Sequence, residues 1–311
     1  MYIVKHRKIF FTLASLLILG SILAMVVFGF NLGIDFKGGS ILEVQYTTAR
    51  PASLAGESIA GRPDLATVQA QVASAGVQNA LISPVNSDSY DIKALSISQD
   101  QENAILSTLS QKGTQEVNVT QFNSIGPSVG SQLAQKAEIA IAVVILCIVL
   151  FIMFAFRRLK NSLNYGVATI IALAHDVIIP TGVYIVWIHF THGEIDLLFV
   201  TALLAILGYS VHDTIVVFDR VRENLLKRGG DARGADFEEV VGASVNQTFG
   251  RSINTSLTIF LVLLALYFIG GETTHNFAFV LLIGVIAGTY SSIFVASPLL
   301  VTLEGWRNKG K

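Results

Sequence analysis

Six apolar runs, each long enough to cross a bilayer, constrain this chain more than any other feature. A membrane-spanning helix needs about 20 mostly apolar residues. The runs are Ile9–Phe30, Ile139–Phe156, Tyr165–Ile188, Leu197–Phe218, Ile253–Ile269 and Phe277–Leu303. The chain is 52% hydrophobic and 14% charged, whereas soluble domains are about 25% charged. The sequence therefore predicts an α-helical polytopic membrane protein with six transmembrane helices.

The basic residues predict how these helices are oriented. Of the 21 lysines and arginines, 15 lie in the N-terminus, the connection after the second run, the stretch 220–251 and the C-terminal tail. The connections 189–196 and 270–276 contain none. By the positive-inside rule both termini are cytoplasmic, and residues 31–136 lie outside, in the periplasm of a Gram-negative cell. The first run is longer than a signal-peptide core, so we interpret it as an uncleaved helix of an inner-membrane protein.

The external segment alternates between strand-like and helix-like patterns. Strands are predicted at Ile41–Tyr46, Ala80–Val85, Tyr90–Ile97 and Glu116–Phe122, and helices at Asp64–Ala75 and Gln99–Gln111. Leu65, Val68 and Val72 share one face of the first helix, and Val117 and Val119 share one face of the last strand. The order βαββαβ is typical of an external α+β ferredoxin-like domain.

The sequence divides into three predicted domains. They are residues 1–30 (N-terminus and first helix), 31–136 (ferredoxin-like domain) and 137–311 (five helices, with a cytoplasmic amphipathic segment at 219–251).

The amphipathic segment precedes the fifth run. Glu223 and Lys227 have the spacing of a helical ion pair, as do Asp219 and Arg222, and Gly229-Gly230 ends this helix. The apolar residues of the next helix are Phe237, Val240, Val241 and Val245. We expect this face to lie on the inner membrane surface; a docking surface for a partner is the alternative.

Asp213 lies near the inner end of the fourth run, about 7 to 8 Å inside it at ~1.5 Å per residue. A carboxylate there costs on the order of 2.5 to 3.5 kcal/mol, so it normally faces the bundle interior, has a partner and marks an ion or proton path. Ser210 and Thr214 share its helical face, and His212 lies about 100° round the helix. The alternative is a capping or helix-packing aspartate.

The fifth run begins with a polar face. Arg251, Asn254, Thr255 and Thr258 have i, i+3, i+4, i+7 spacing, which puts them on one side of a helix. Because a buried cation and a buried carboxylate are each too costly to leave alone, Arg251 is predicted to pair with Asp213. The alternative for Arg251 is a positive-inside anchor that extends to the interface.

His175 and Asp176 form the third polar feature, in the middle of the third run. Pro180 cannot donate to the carbonyl of Asp176, which predicts a kink with a free acceptor beside the carboxylate. The depth favours a functional or inter-helix role over an inert hydrogen-bonded pair.

Enzyme, metal and nucleic-acid signatures are absent from the sequence. There is no metal-spaced His/Cys set, no Walker lysine loop and no nucleophile with a positioned base, so we expect neither an enzyme nor a cofactor. The net charge of −1 carries no nucleic-acid signal. The glycine-rich segment Gly33–Gly39 lacks the ending of a phosphate loop and is interpreted as a turn after the first helix.

Four motifs together resemble the SecD/SecF family of bacterial protein export, within the resistance-nodulation-division superfamily. They are Gly33 to Gly39 (with Asp35, Phe36 and Gly38), Ala174-His175-Asp176, Gly208 to Asn224 and Asn246 to Ser256. The resemblance covers essentially the whole chain. By motif, Asp213 and Arg251 match the membrane positions that this family links to proton use, and we add His175, Asp176 and His212 as candidates.

This resemblance implies an auxiliary subunit of the Sec preprotein translocase. It implies a heterodimer with SecD beside the SecYEG channel, with YajC and YidC as further candidate partners. Such an assembly would use the proton gradient, without a cofactor, to draw unfolded preproteins out of the channel. One alternative is half of a proton-driven small-molecule exporter, which would need a second large external loop. Another is a non-transporting scaffold of the translocon, which would tolerate neutralisation of Asp213.

The charge asymmetry generates a prediction about topology. Cysteines at Ser87 and Ser110, introduced after Cys147 is replaced by serine, are expected to react with an impermeant thiol reagent on intact spheroplasts. A cysteine at Gly230 is expected to react only after the membrane is permeabilised. Labelling of the Gly230 site alone would show that the orientation is the reverse of the predicted one.

Overall fold

A computed structural model describes residues 2–47, 63–85, 88–110, 116–157, 162–191, 193–229 and 234–309. The chain forms two compact units, one made of Met1–Asn31 with Ala137–Lys311 and the other of Leu32–Lys136. The first is the helical unit and the second is the α+β unit.

The order of elements follows the predicted pattern. The helices are α1 (Tyr2–Lys5), α2 (Arg7–Phe28), α3 (Ile34–Lys37), α4 (Leu65–Ser74), α5 (Gln99–Leu109), α6 (Pro127–Ala155), α7 (Ser162–Thr191), α8 (Leu197–Lys227), α9 (Ala235–Ile269), α10 (Glu272–Tyr290) and α11 (Ser297–Lys309). The strands are β1 (Gly39–Thr47), β2 (Leu81–Pro84), β3 (Ser89–Ala94) and β4 (Glu116–Ile125).

Six helices in the described part of the chain are long and apolar enough to cross a membrane, which confirms the predicted number. They are α2, α6, α7, α8, α9 and a last span, Thr274–Trp306, in which α10 and α11 are joined by a π-helical turn, Ser291–Ala296. Several helices are longer than predicted: α6 begins at Pro127 and α9 at Ala235. Hydropathy marks only the apolar part of a helix, and polar helix-forming residues extend these two beyond it.

The interior of the helical unit is formed by α7, α8 and the last span, whose apolar windows are more than half buried. Most of α2 and α6 is exposed, with leucine, isoleucine and valine side chains that suit lipid. Glycines permit close approach of neighbouring helices: a Cβ at Gly284 of α10 would lie 2.2 Å from Ile206 Cδ1 of α8, and one at Gly182 of α7 would lie 2.3 Å from Ser21 Cβ of α2. Small residues at helix contacts are typical of membrane bundles.

The four apolar residues that the sequence placed on one face of the amphipathic segment are buried, so the prediction that this face lies on the membrane surface or binds a partner is wrong. The four apolar residues of α9 named above belong to one buried cluster with Phe218, Val221 and Leu225 of α8. The segment is thus an extension of the α8–α9 hairpin, because these two apolar faces cover each other. The predicted ion pairs are present, with 2.7 Å between Lys227 Nζ and Glu223 Oε1. Gly230 lies outside the described residues.

The α+β unit is the predicted ferredoxin-like sandwich. Its four strands are all antiparallel to their neighbours, in the order β2-β3-β1-β4. Helices α4 and α5 cover one face through Val68, Val72, Ile105 and Leu109, all buried in the core. Leu65, predicted on the same face of α4, is 38% exposed, because it begins the helix at the rim.

Strand β4 contains an irregularity that the alternation pattern does not show. Glu43 pairs with Gln121 and Val44 pairs with Val119, so Thr120 is one extra residue. A bulge reverses the alternation of side chains along a strand. Beyond it, Phe122 packs against the core, and the strand continues past the predicted end to Ile125.

The conformation of the turn between α3 and β1 explains why residues 38 and 39 are both glycine. Gly38 has φ 77° and Gly39 has φ 142°. A Cβ at Gly38 would lie 2.6 Å from the Cα atom of Pro127. Both the conformation and the contact with the start of α6 therefore exclude a side chain at Gly38.

This crowding generates a stability prediction. Gly38→Ala is expected to destabilise the full-length chain more than Gly76→Ala. Both positions have positive φ, so alanine at either costs about 1–2 kcal/mol, but nothing lies within 4 Å of a Cβ at Gly76. Thermal unfolding of the two purified variants in detergent would measure the difference, and equal midpoints would contradict the role given to Pro127.

Candidate functional site

Buried polar side chains concentrate between the inner helices of the helical unit. The group contains His175 and Asp176 of α7, Ser210, Asp213 and Thr214 of α8, Ser252 of α9, and Ser291 and Ser292 of the π-helical turn. The apolar core surrounds this group, so its members must satisfy one another's hydrogen bonds.

Asp213 is 4% exposed and joins three helices. The Ser252 hydroxyl donates to Oδ1 over 2.6 Å, and the Ser292 hydroxyl donates to Oδ2. Each carboxylate oxygen thus has a donor from a different helix. Hydrogen bonds to a charged group contribute about 1.5–3 kcal/mol each, so these serines offset part of the cost of burying the carboxylate.

Asp176 has a similar environment one helix away. It is completely buried, and His175 Nδ1 lies 2.8 Å from its Oδ1. The hydroxyls of Ser210 and Ser291 both donate to Oδ2, the latter over 2.7 Å. His175 and Asp176 therefore form a hydrogen-bonded pair inside the bundle.

The π-helical turn positions two adjacent serines toward different carboxylates. Pro298, just beyond the turn, has no N–H to donate and so favours departure from regular helix. The Ser297 hydroxyl instead donates to the carbonyl of Ser292 over 2.8 Å. Close approach to α8 depends on Gly288, where a Cβ would lie 3.1 Å from Ser210 Cβ.

The structure does not pair Arg251 with Asp213, contrary to the predicted contact. Arg251 is exposed and forms no ion pair within the described residues. A helix turns about 100° per residue, so when Ser252 faces Asp213 its neighbour Arg251 faces away. The sequence pattern correctly indicated that α9 carries a partner for Asp213, but it selected the wrong residue.

The predicted polar face of α9 is consequently an outer face. Asn254 and Thr258 are exposed and Thr255 is half-buried. The inner face carries Thr248, Ser252 and Ser256, which are buried and spaced by four residues. That spacing is visible in the sequence, yet serine and threonine are common in membrane helices and a charged residue gave the stronger signal.

Other predicted residues have more varied positions. His212 is exposed, and Thr214 is buried beside Asp213. Helix α7 continues through Pro180, where Thr181 donates to the Val177 carbonyl over 2.6 Å. Among the described residues no cluster of His, Cys, Asp or Glu could hold a metal ion.

A second polar cluster, which the sequence analysis missed, links α8, α9 and α10. The Tyr209 hydroxyl donates to Ser256 over 2.5 Å, and Thr289 donates to the same oxygen over 2.6 Å. This cluster fixes the three helices that supply Asp213 and its donors.

Comparisons with known proteins identify the family of this chain. A family model for the C-terminal region of the protein export membrane proteins SecD/SecF matches residues 105–306, and one for the SecD/SecF GG motif matches residues 23–49. The translocase subunit SecF of Thermobaculum terrenum is 40% identical over 99% of this chain and 94% of its own length. The SecF of Anaerolinea thermophila is 38% identical over 98% and 96%.

Two solved structures share the fold. SecDF of Thermus thermophilus, described as a translocon-associated membrane protein, has a TM-score of 0.79 and 30% identity over 99% of this chain. SecDF in a super-membrane-facing form has a TM-score of 0.63 at the same identity. This chain spans 39% of the length of each SecDF chain.

The fold and the buried polar group define a multi-pass membrane protein with ionisable residues in its helix bundle. The family models and the full-length relatives then identify it more closely. The chain belongs to the SecF branch of the SecD/SecF family of protein translocase subunits.

The hydrogen bonds of Asp213 generate a stability prediction. Ser252→Ala is expected to cost about 1.5–3 kcal/mol, the contribution of a hydrogen bond to a charged group. In an Asp213→Asn chain the same change is expected to cost about half as much, because the acceptor is neutral. Thermal unfolding of the four chains would give the cycle, with exposed Ser15→Ala as control. An equal loss in both backgrounds would contradict an ionised Asp213.

Proposed function

We propose that this chain is an auxiliary subunit of the Sec preprotein translocase and, with a SecD subunit, uses the proton-motive force to complete protein export. The observation that carries the proposal is Asp213, a buried carboxylate whose described hydrogen-bond partners are two neutral hydroxyls. Such a group can gain or lose a proton without breaking an ion pair. The subunit would act as a transport component that needs no cofactor.

The available energy is adequate for this role. One charge that crosses ~100 mV is worth about 2.3 kcal/mol, enough to bias a two-state protein about fifty-fold. Protonation would turn an acceptor-only carboxylate into a group that also donates. The hydroxyls of α9 and of the π-helical turn would then change partners, and the last span could shift relative to α8.

The partner is expected to cover the outer polar face of α9. Arg251, Asn254 and Thr258 are exposed on a helix of membrane-spanning length, and His212 of α8 is exposed as well. Lipid cannot solvate such groups, so another membrane subunit would satisfy them. In the solved relatives this fold is part of a longer SecDF chain, which supports a SecD subunit in that place. Arg251 would then act across the interface.

The remaining partners and the orientation belong to the same proposal. Both termini would lie in the cytoplasm and the α+β unit in the periplasm, where it could contact unfolded preproteins as they leave SecYEG. YajC and YidC remain candidate neighbours of the assembly.

The exporter alternative is less well supported. A superfamily exporter would carry a second large external loop, yet only Gly270 and Gly271 separate α9 from α10. A passive scaffold would have no use for Asp213, although burial of its carboxylate costs stability in either case.

Replacement of Asp213 by asparagine tests the proposal. Asp213→Asn mimics the neutral form and is expected to abolish gradient-driven export in membrane vesicles. Entry driven by SecA and assembly with SecD should remain intact. Arg251→Met should have nearly the same effect, and Arg251→Lys should retain part of the activity because it keeps the charge.

The control is a carboxylate outside the buried group. Glu138→Gln changes an exposed residue of α6 and should leave export unchanged. The loop carboxylate Asp196 is not a suitable control, because its side chain accepts from the Phe199 N–H over 2.8 Å and caps α8. Full gradient-dependent export by Asp213→Asn, at normal membrane levels, would overturn the proposal.

A further inference from the structure

His175 and Asp176 have the chemistry of a proton-binding site in their own right. When the Asp176 carboxylate is ionised it can only accept, so the 2.8 Å contact then places a hydrogen on His175 Nδ1. The other ring nitrogen, Nε2, is buried and has no hydrogen-bond partner among the described residues. The Tyr290 ring stacks on the imidazole at 5.8 Å between centroids. Nε2 and the carboxylate are therefore two positions inside the buried polar group that have the chemistry to bind a proton.

This pair is connected to Asp213 by two separate elements. Adjacent residues of the π-helical turn diverge: Ser291 donates to Asp176 and Ser292 donates to Asp213. Helix α8 carries Asp213 and, one turn earlier, Ser210, which donates to Asp176. Both the turn and α8 thus contact both carboxylates.

We propose that His175–Asp176 is a second proton-binding site of the helix bundle, coupled to Asp213 through the hydroxyls of Ser291 and Ser292. The proposal rests on the function inferred above for Asp213 and adds the residues that would link two protonation events. Ser291 and Ser292 are positioning residues in this scheme, since they hold hydrogen bonds and do not retain the proton.

Each linking hydroxyl has a second acceptor within reach. Ser291 Oγ lies 3.1 Å from the Gly288 carbonyl, and Ser292 Oγ lies 3.2 Å from the Thr289 carbonyl. A serine has one hydroxyl hydrogen, so it donates well either to the carboxylate or to its own helix. When one aspartate takes a proton it becomes a donor, and the facing serine can return to the helix carbonyl. Because the two serines are consecutive, a backbone shift of the turn that accompanies this change would also move the other serine.

Few other titratable groups surround the two carboxylates in the described residues. Tyr209 of α8 faces Ser256 and Thr289, and Tyr290 of α10 faces His175. His212 and Arg251 are exposed, and α2, which packs on α7, places no described ionisable side chain in this polar group. The protonation of each aspartate is therefore expected to respond mainly to the other aspartate and to His175.

The experiment measures proton binding directly. Infrared difference spectra of the full chain, purified with its SecD subunit, would follow the protonated-carboxyl band that disappears in Asp213→Asn. Asp176→Asn removes a nearby negative charge and is expected to weaken proton binding at Asp213 at least five-fold, the lower end of common coupling strengths. By reciprocity, Asp213→Asn should weaken proton binding at Asp176 by the same factor.

The serines distinguish hydroxyl coupling from simple charge repulsion. The double variant Ser291→Ala, Ser292→Ala keeps both carboxylates but lacks the linking hydroxyls. When Asp176→Asn is added to this double variant, the midpoint of the Asp213 titration should change by clearly less than it does in the chain that keeps both serines. The matched control is Thr169→Val, which changes a buried α7 residue that donates only to the Tyr165 carbonyl. This variant should leave the midpoint of the Asp213 titration unchanged. If Asp176→Asn does not fold, His175→Asn keeps a donor toward Asp176 while removing the titratable ring.

The outcomes separate the two proposals. An Asp213 band that titrates identically with and without Asp176 overturns the coupling and leaves the proposed function standing. A full effect of Asp176→Asn that persists without both serine hydroxyls overturns their role. An Asp213 band that does not titrate at all overturns this inference and the proposed function together.

Discussion

A carboxylate buried in an apolar helix bundle requires donors from neighbouring helices, and here two carboxylates impose this requirement together. Asp176 and Asp213 are at most 4% exposed, and their partners come from α7, α8, α9 and the last span. These helices must therefore approach closely at one level of the bundle. Small residues at the contacts, such as Gly288 against α8, make that approach possible. The packing of the inner helices and the hydrogen bonding of the carboxylates are two aspects of one constraint.

The choice of serine as partner has consequences for movement. A carboxylate paired with a buried arginine would leave an uncompensated charge on protonation, and breaking a buried pair costs about 3–5 kcal/mol. A serine hydroxyl can turn to a carbonyl of its own helix at much lower cost. The last span, with its π-helical turn beside Pro298, is the element best suited to respond. In the proposed assembly the exposed Arg251 would interact with a second subunit.

Much of the architecture was predictable because it depends on local patterns. Apolar run length indicated six spans, and period-two and helical spacing indicated the βαββαβ order. Two features of the architecture could not be predicted from local patterns, because each depends on which residues face each other. The bulge at Thr120 appears only when β4 is paired with β1. The apolar face of the amphipathic segment was assigned to the membrane surface, although the matching face of α8 covers it.

By itself, the sequence determined the class of protein, the number of spans and the identity of the costly residues, since hydropathy and charge act residue by residue. Asp213, Asp176 and His175 could be recognised without coordinates. Only the tertiary structure decided their partners, because serines are unremarkable in an apolar helix until a carboxylate from another helix lies opposite. A rotation of about 100° separates Arg251 from Ser252. Helix packing determines the orientation of α9 about its own axis, and this orientation gives the inner position to the neutral hydroxyl and the outer one to the charge.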